Sequence, residues 1–296
     1  MPGIRALHDR HGRLPLGDLL EPAIELADNG FVLDRFMGRI FAARKNVLRR
    51  TPEGRRIFTK PDSWFHGEGD LFRQPELAAT LRRVAELGPE YMITGAWAGR
   101  LVDAVRKEGG KITLRDLKAY KAAWEAPLAS GYRGFTVNTI GLPELGAVQL
   151  VEGLNLLELV ELDRANPYFR DAESLFAFIR ICRLGYAVTY APAYQPDPDA
   201  PQSIPWITPR ARVAKETALA SRERLRSRDW EATLTGELSG AANHSDCIVT
   251  VDGAGNIAVV IHSINTSLWG STGLFVDGVS IPDPASFQQD IMAKTR

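Results

Sequence analysis

The chain has 296 residues, 45% hydrophobic and 24% charged, enough apolar content for one large or two modest cores of ordinary composition. Thirty-six basic residues cancel thirty-six acidic ones, which leaves no overall electrostatic footprint for nucleic acid or an anionic membrane surface. No apolar run approaches the roughly 18 residues of a membrane span. The N-terminus lacks the basic-then-apolar layout of a signal peptide, so a cytoplasmic protein is the expectation. Cys182 and Cys247 offer neither a disulfide framework nor a zinc spacing and read as buried small hydrophobes.

Taken in order, the chain opens with a helix whose apolar face holds Leu19, Leu20, Ala23, Ile24, Leu26 and Ala27, stopped by Asn29-Gly30. His8 and His11 have helical spacing but no third ligand nearby, so a solvated face is preferred and no metal is expected. The run Arg44, Lys45, Arg49, Arg50, Arg55 and Arg56 has no interleaved aromatic residues, so it reads as a charged helix surface, not a nucleic-acid patch. Gly109-Gly110 ends one helix and Thr113 caps the next, which runs into Leu117. A strand over Phe135–Thr139, a Gly/Pro turn and an apolar helix fill Pro127 to Glu158. The turn from Gly141 to Gly146, which includes Leu142, Glu144 and Leu145, lacks both phosphate-loop patterns. A helix over Ser174–Tyr190 gives way to Pro192, Pro196, Pro198, Pro201 and Pro205, an extended, helix-incompatible connection. Arg210–Arg228 reads as a charged amphipathic helix and Glu231–Asn243 as an exposed linker.

From Asn243 to Gly273 the chain reads NHSDCIVTVDGAGNIAVVIHSINTSLWGSTG. Asp246–Val251 and Ile257–Ile264 are β-rich and Asp252–Asn256 is dense in turn residues, the pattern of two strands joined by a tight hairpin. His244, Ser245 and Asp246 contain the residue types of a catalytic triad. Neighbouring side chains of an extended segment point to opposite faces, so neither flanking residue reaches the Ser245 hydroxyl as a triad requires. If the His244–Ser245 peptide bond were cut, Ser245 would gain an α-amine with a reference pKa of about 7.7 to 8, close enough to neutral to act as base for its own hydroxyl. Ser263 and Asn265 lie two apart on the second strand, project from one face, and are candidates to hold that hydroxyl and amine.

On these residues the chain resembles the γ-glutamyltransferases of the N-terminal-nucleophile hydrolase superfamily. There the second subunit opens with a pattern like T-T-H-x-S-V-V-D-x-x-G-N, then a strand ending T-x-N, then F-G-S. Here the same order reads S-D-C-I-V-T-V-D-G-A-G-N, Ser263-Ile264-Asn265 and W-G-S. Counting back from Asp252 sets Ser245 on the nucleophilic threonine, Ser263 on the orienting threonine and Asn265 on the neighbouring asparagine. The opening segment and Gly67 to Tyr120 resemble earlier stretches of the same family.

The resemblance implies an α+β fold, a four-layer αββα sandwich. It implies one domain, with residues 1–244 large-subunit-like and 245–296 the start of a small-subunit-like part. It also implies autocatalytic cleavage before Ser245 and an acyl-enzyme on that serine, as in glutathione metabolism, with no cofactor. In the family, acidic residues of a N-N-E/Q-M-D-D-F stretch grip the substrate amino group. The corresponding S-I-P-D-P-A-S-F places Ser286 on the last gripping aspartate and leaves Asp283 nearby, so a small amide or acyl donor is preferred over a strictly γ-glutamyl one. The chain resembles the family's middle, without the upstream arginine for the substrate carboxylate or the downstream paired glycines of the oxyanion hole. The alternative is a non-catalytic remnant serving as a binding or subunit partner. Oligomeric state stays open, a homo-oligomer included.

Overall fold

The computed structural model of the chain describes residues 1–62, 64–141, 145–160, 168–194, 209–226, 245–263, 270 and 272–282. They fall into two compact units, one drawn from Met1–Ala123 with Ala241–Gln289 and the other from Trp124–Gly240 with Asp290–Arg296. Each mixes helices with two-stranded antiparallel pairs, in keeping with the expected α+β class.

The first unit is mainly helical. Its helix Leu16–Asn29 ends at Gly30, whose φ of +81° suits glycine, and whose added Cβ would meet the Phe72 carbonyl oxygen at 2.6 Å. Only part of the face read from the sequence turns inward. Ile24 and Ala27 are buried against the neighbouring helix Pro75–Leu87, whereas Leu19, Ala23 and Leu26 are exposed. Two parallel stripes run along this helix about 100° apart, and one neighbouring helix covers one of them. Further on, Thr113 and Asp116 form a reciprocal capping box on the helix Leu114–Ala119, in agreement with the sequence reading.

The core of this unit is aromatic. Phe41 packs edge-on against Phe58 and Phe72, each at a centroid distance of 5.1 Å, in a cluster that also holds Leu33, Leu48, Ile57 and Phe275. A second cluster joins Trp97 and Leu101 to Val276. Both therefore depend on the short hairpin Leu274–Val276 with Val279–Ile281, whose turn at Asp277 and Gly278 has φ of 48° and 80°. Positive φ at both central positions is the signature of a type I′ turn, for which Asp-Gly is a favoured pair.

In the second unit, Leu128–Tyr132 pairs with Phe135–Thr139 through a turn at Arg133 and Gly134, so the expected strand is the second of a hairpin. The helix Leu145–Leu157 packs on Ala172–Tyr194, and Leu156, Ile181, Leu184 and Ala218 form the core. The latter helix starts two residues earlier than read and runs through Pro192 to Tyr194, where a missing amide costs one hydrogen bond near the helix end. Pro196 to Pro205 lie outside the described residues. The single helix read over Arg210–Arg228 is instead two, Pro209–Arg212 and Lys215–Arg226. The break has a cause: the Asn155 amide donates to the Val213 carbonyl at 2.9 Å, and Arg212 turns inward to Glu152 at 2.5 Å, both side chains being 5% exposed or less. A solvated amphipathic helix has no place for a buried ion pair at that position.

Candidate active site

Residues Ser245–Val251 and Ile257–Ser263 form an antiparallel ribbon, within one residue of the expected bounds at either end. Seven residues on each strand pair in unbroken register, from Val251 with Ile257 at the turn to Ser245 with Ser263 at the open end. The two serines read as nucleophile and orienting group are thus directly opposed ladder partners. Opposed positions lie on one face of an antiparallel pair and are its closest cross-strand neighbours. Asn265, Asp283 and Ser286 lie outside the described residues, as do His244 and the turn positions Leu142 and Glu144.

Register is set at the other end by Asp252. Its Oδ1 accepts from the amides of Ala254 and Asn256, both at 2.9 Å, and its Oδ2 accepts from Asn256 Nδ2 at 2.7 Å. The Asp252 amide donates in turn to the Asn256 carbonyl at 3.1 Å. Three donors, led by the Asn256 side chain, favour the carboxylate and hold this acid below the ordinary aspartate range. The five-residue turn therefore closes on its own side chain, and a one-residue slip that would part Ser245 from Ser263 would also break it.

Among the described residues the apolar side chains of the ribbon are open to solvent. Ile248, Val249, Val251, Ile257, Val259 and Ile261 are each more than half exposed. This corrects the expectation of buried thiols, because Cys247 shares this exposure, and Cys182 sits on the outer side of a helix whose Ile181 and Leu184 face the core. Partial desolvation still pushes the exposed Cys182 thiol up from its ordinary value.

The segment after the ribbon is clasped by residues far earlier in the chain, a set that pattern reading missed. Trp97 Nε1 donates to the Val276 carbonyl at 3.1 Å, Thr80 Oγ1 to the Asp277 carbonyl at 2.8 Å, and Thr51 Oγ1 to the Gly273 carbonyl at 2.9 Å. The Gly278 amide donates to Glu53 at 2.9 Å, and Arg100 pairs with the Asp277 carboxylate at 2.6 Å. Arg44 and Arg50 donate to the carbonyls of Gly270 and Thr272. One signal for this dock was legible: Val276-Asp277-Gly278-Val279 is an Asp-Gly pair between β-branched residues.

Among the described residues no group of three His, Cys, Asp or Glu side chains is arranged to hold a metal. His8, on the helix Pro2–His11, contacts the Leu14 carbonyl oxygen at 2.8 Å, just past that helix's end. No described helix is long and apolar enough to cross a membrane.

Comparison with known proteins adds a lineage to this geometry. The family model for gamma-glutamyltranspeptidase matches residues 1–280. The glutathione hydrolase proenzyme of Escherichia coli K12 is 28% identical over 265 residues, 88% of this chain and 44% of that protein. The acylase ACY 1 proenzyme of Pseudomonas sp. SE83 is 28% identical over 285 residues, 96% of this chain and 48% of that one. The chain spans about half the length of these curated relatives. Among solved structures, Helicobacter pylori gamma-glutamyltranspeptidase superposes with a TM-score of 0.66 at 25% identity, over 81% of this chain and 68% of the other. The fold is the expected N-terminal-nucleophile hydrolase type, and the chain belongs to the γ-glutamyltranspeptidase family.

Proposed function

We propose that this chain carries the nucleophile of an amidohydrolase or acyltransferase, with Ser245 as the attacking residue after the chain cuts itself before it. The observation that carries the reading is the ladder pairing of Ser245 with Ser263 at the open end of the ribbon. That the Escherichia coli and Pseudomonas relatives are named as proenzymes agrees with a chain that must be cut. The proposed division is residues 1–244 and 245–296.

In the cut, Ser245 Oγ attacks the His244 carbonyl carbon and its proton passes to the departing nitrogen. The C–N bond breaks to leave an ester and a free α-amine, and water then hydrolyses the ester. In turnover the α-amine takes the Oγ proton as the hydroxyl attacks an amide carbonyl, then returns it to the leaving amine. The resulting acyl ester passes to water or to a second amine. Ser263 and Asn265 orient the hydroxyl and the amine, and Asp283 and Ser286 border the acyl group. The substrate class is a small amide or acyl donor, γ-glutamyl-like compounds included. It is supported by relatives named for glutathione hydrolysis on one side and for acylase activity on the other.

Intact-mass spectrometry tests the reading. Two fragments meeting between His244 and Ser245, seen in the parent and in Ser245→Thr but not in Ser245→Ala, are the expected result. A parent chain that remains whole through prolonged incubation at neutral pH would sink it.

A further inference from the structure

The arginine-rich run between positions 44 and 56 is unused by the proposed chemistry, yet part of it lines a cleft. Arg49, Arg55, Arg56, Thr59, Lys60 and Pro61 line an open surface groove of about 660 Å³ beside the short helix Pro52–Phe58. That volume falls in the range of small-molecule sites, roughly 300 to 1,000 Å³. Three of its cations are held in place. Arg55 Nη1 donates to the carbonyls of Arg49 and Arg50 at 2.9 and 3.2 Å, Arg56 Nε to Glu76 at 2.8 Å, and Lys60 Nζ to Asp70 at 3.2 Å. Arg49 reaches the neutral Asn46 side chain at 3.3 Å.

The charge balance does not close. Four cations meet two carboxylates at ion-pair distance, Glu76 and Asp70, and a third acid, Glu53 on the same short helix, accepts from the Gly278 amide and acts on Arg56 at longer range. Among the described residues Arg49 and Arg55 have no carboxylate at ion-pair distance, and the four cations exceed the three nearby carboxylates by one. A guanidinium carries five N–H donors, and the bonds that hold Arg55 use only Nη1, so donors remain for a planar anion. Anchoring of this kind lowers the side-chain entropy lost when a ligand arrives. No aromatic side chain lines the cleft on which a base would stack, and its size suits a compact ligand better than a polymer.

We infer that this cleft binds a small multivalent anion, a phosphate ester or a di- or tricarboxylate, through Arg49 and Arg55, with Arg56 and Lys60 adding to the field. The site is separate from the serine chemistry and stands or falls without it.

Calorimetric titration of the full 296-residue chain tests the inference. The probes are inorganic pyrophosphate and citrate, with acetate as the monovalent control, at roughly 20 mM salt where screening is weak. A single saturable site for pyrophosphate alone assigns phosphate chemistry, for citrate alone carboxylate chemistry, and for both a general multivalent-anion site; each supports the inference. Arg49→Gln, which disturbs only the contact to Asn46, is expected to weaken binding by about tenfold, and Arg49→Gln/Arg55→Gln to remove it. Absence of saturable heat for both probes up to about 10 mM overturns the inference. So does unchanged binding in Arg49→Gln with an unchanged circular dichroism spectrum.

Discussion

Trp97 donates its indole N–H to the carbonyl of Val276 at 3.1 Å, a buried hydrogen bond between residues 179 positions apart. It fastens the hairpin that follows the Ser245–Ser263 ribbon to the helix Ala96–Lys107, and Phe275 beside it completes the phenylalanine cluster. Replacing Phe275 by Ala should cost about 3 to 5 kcal/mol, as truncation of a buried aromatic residue does. Trp97→Phe keeps most of the packing and strands one carbonyl, so a smaller loss of about 1 to 3 kcal/mol is expected. Urea unfolding of the two variants beside the parent gives both numbers. The same contacts should keep the fragment beginning at Ser245 bound to the rest of the chain after cleavage, so the two fragments should co-elute in gel filtration without denaturant.

The buried pair Glu152 and Arg212 should behave asymmetrically. Arg212→Met leaves the Glu152 carboxylate buried without its partner and should destabilise by about 3 to 5 kcal/mol. Glu152→Leu leaves the buried guanidinium without its carboxylate in the same way, with the Gly185 carbonyl still accepting from it. The double variant Glu152→Leu/Arg212→Met should recover most of that loss, since neither charge remains to be desolvated. A double-mutant cycle in urea separates coupling from packing, and purely additive losses would contradict the account.

Two hydrogen-bonded acids, one closing a turn and one capping a helix, should make the protein less stable in acid. Asp252 is held low chiefly by the Asn256 side chain, and Asp116 chiefly by the Thr113 hydroxyl. A depressed folded-state value means that the stabilisation is fully present above the unfolded value of about 3.9 and disappears as pH falls through the folded value. The protection factors of the Ala254 and Asn256 amides, taken relative to the intrinsic rate at each pH, should therefore fall as the pH is lowered from about 4. Asp252→Ala should remove that pH dependence and raise exchange at neutral pH as well.

The open ribbon should advertise itself in solution. With Val249, Val259 and Ile261 all exposed on one face, the chain should bind an apolar dye strongly and associate at high concentration. Ile261→Lys puts a charge on that face and should lower both signals without moving the ribbon register. Dye fluorescence and light scattering on matched samples would show it.

Ser263→Ala tests the positioning role directly. Loss of a hydrogen bond to a nucleophile carrying charge in the transition state is worth about 1.5 to 3 kcal/mol, a factor of roughly 10 to 150 in rate. The proposal predicts a fall of that size in the rate of cleavage before Ser245 in freshly made protein, with Ser263→Thr restoring most of it. Equal rates in parent and Ser263→Ala would remove Ser263 from the mechanism.

Local chemistry alone determined much of this protein. The Gly30 stop, the Thr113 and Asp116 capping box and the ribbon over Ser245 to Ser263 each depend on residues a few positions apart, where period, turn propensity and capping act without distant help. The same local register carried Ser245 to Ser263, because a five-residue turn closed by Asp252 permits one pairing. Only the tertiary structure decided which stripe of Leu16–Asn29 turns inward, that Arg212 leaves the surface for Glu152, and that Trp97, Thr80 and Glu53 clasp the hairpin at Asp277 and Gly278. Those outcomes depend on which surfaces meet after loop closures of tens to hundreds of residues, and a stripe of apolar side chains specifies that it must be covered without specifying what covers it.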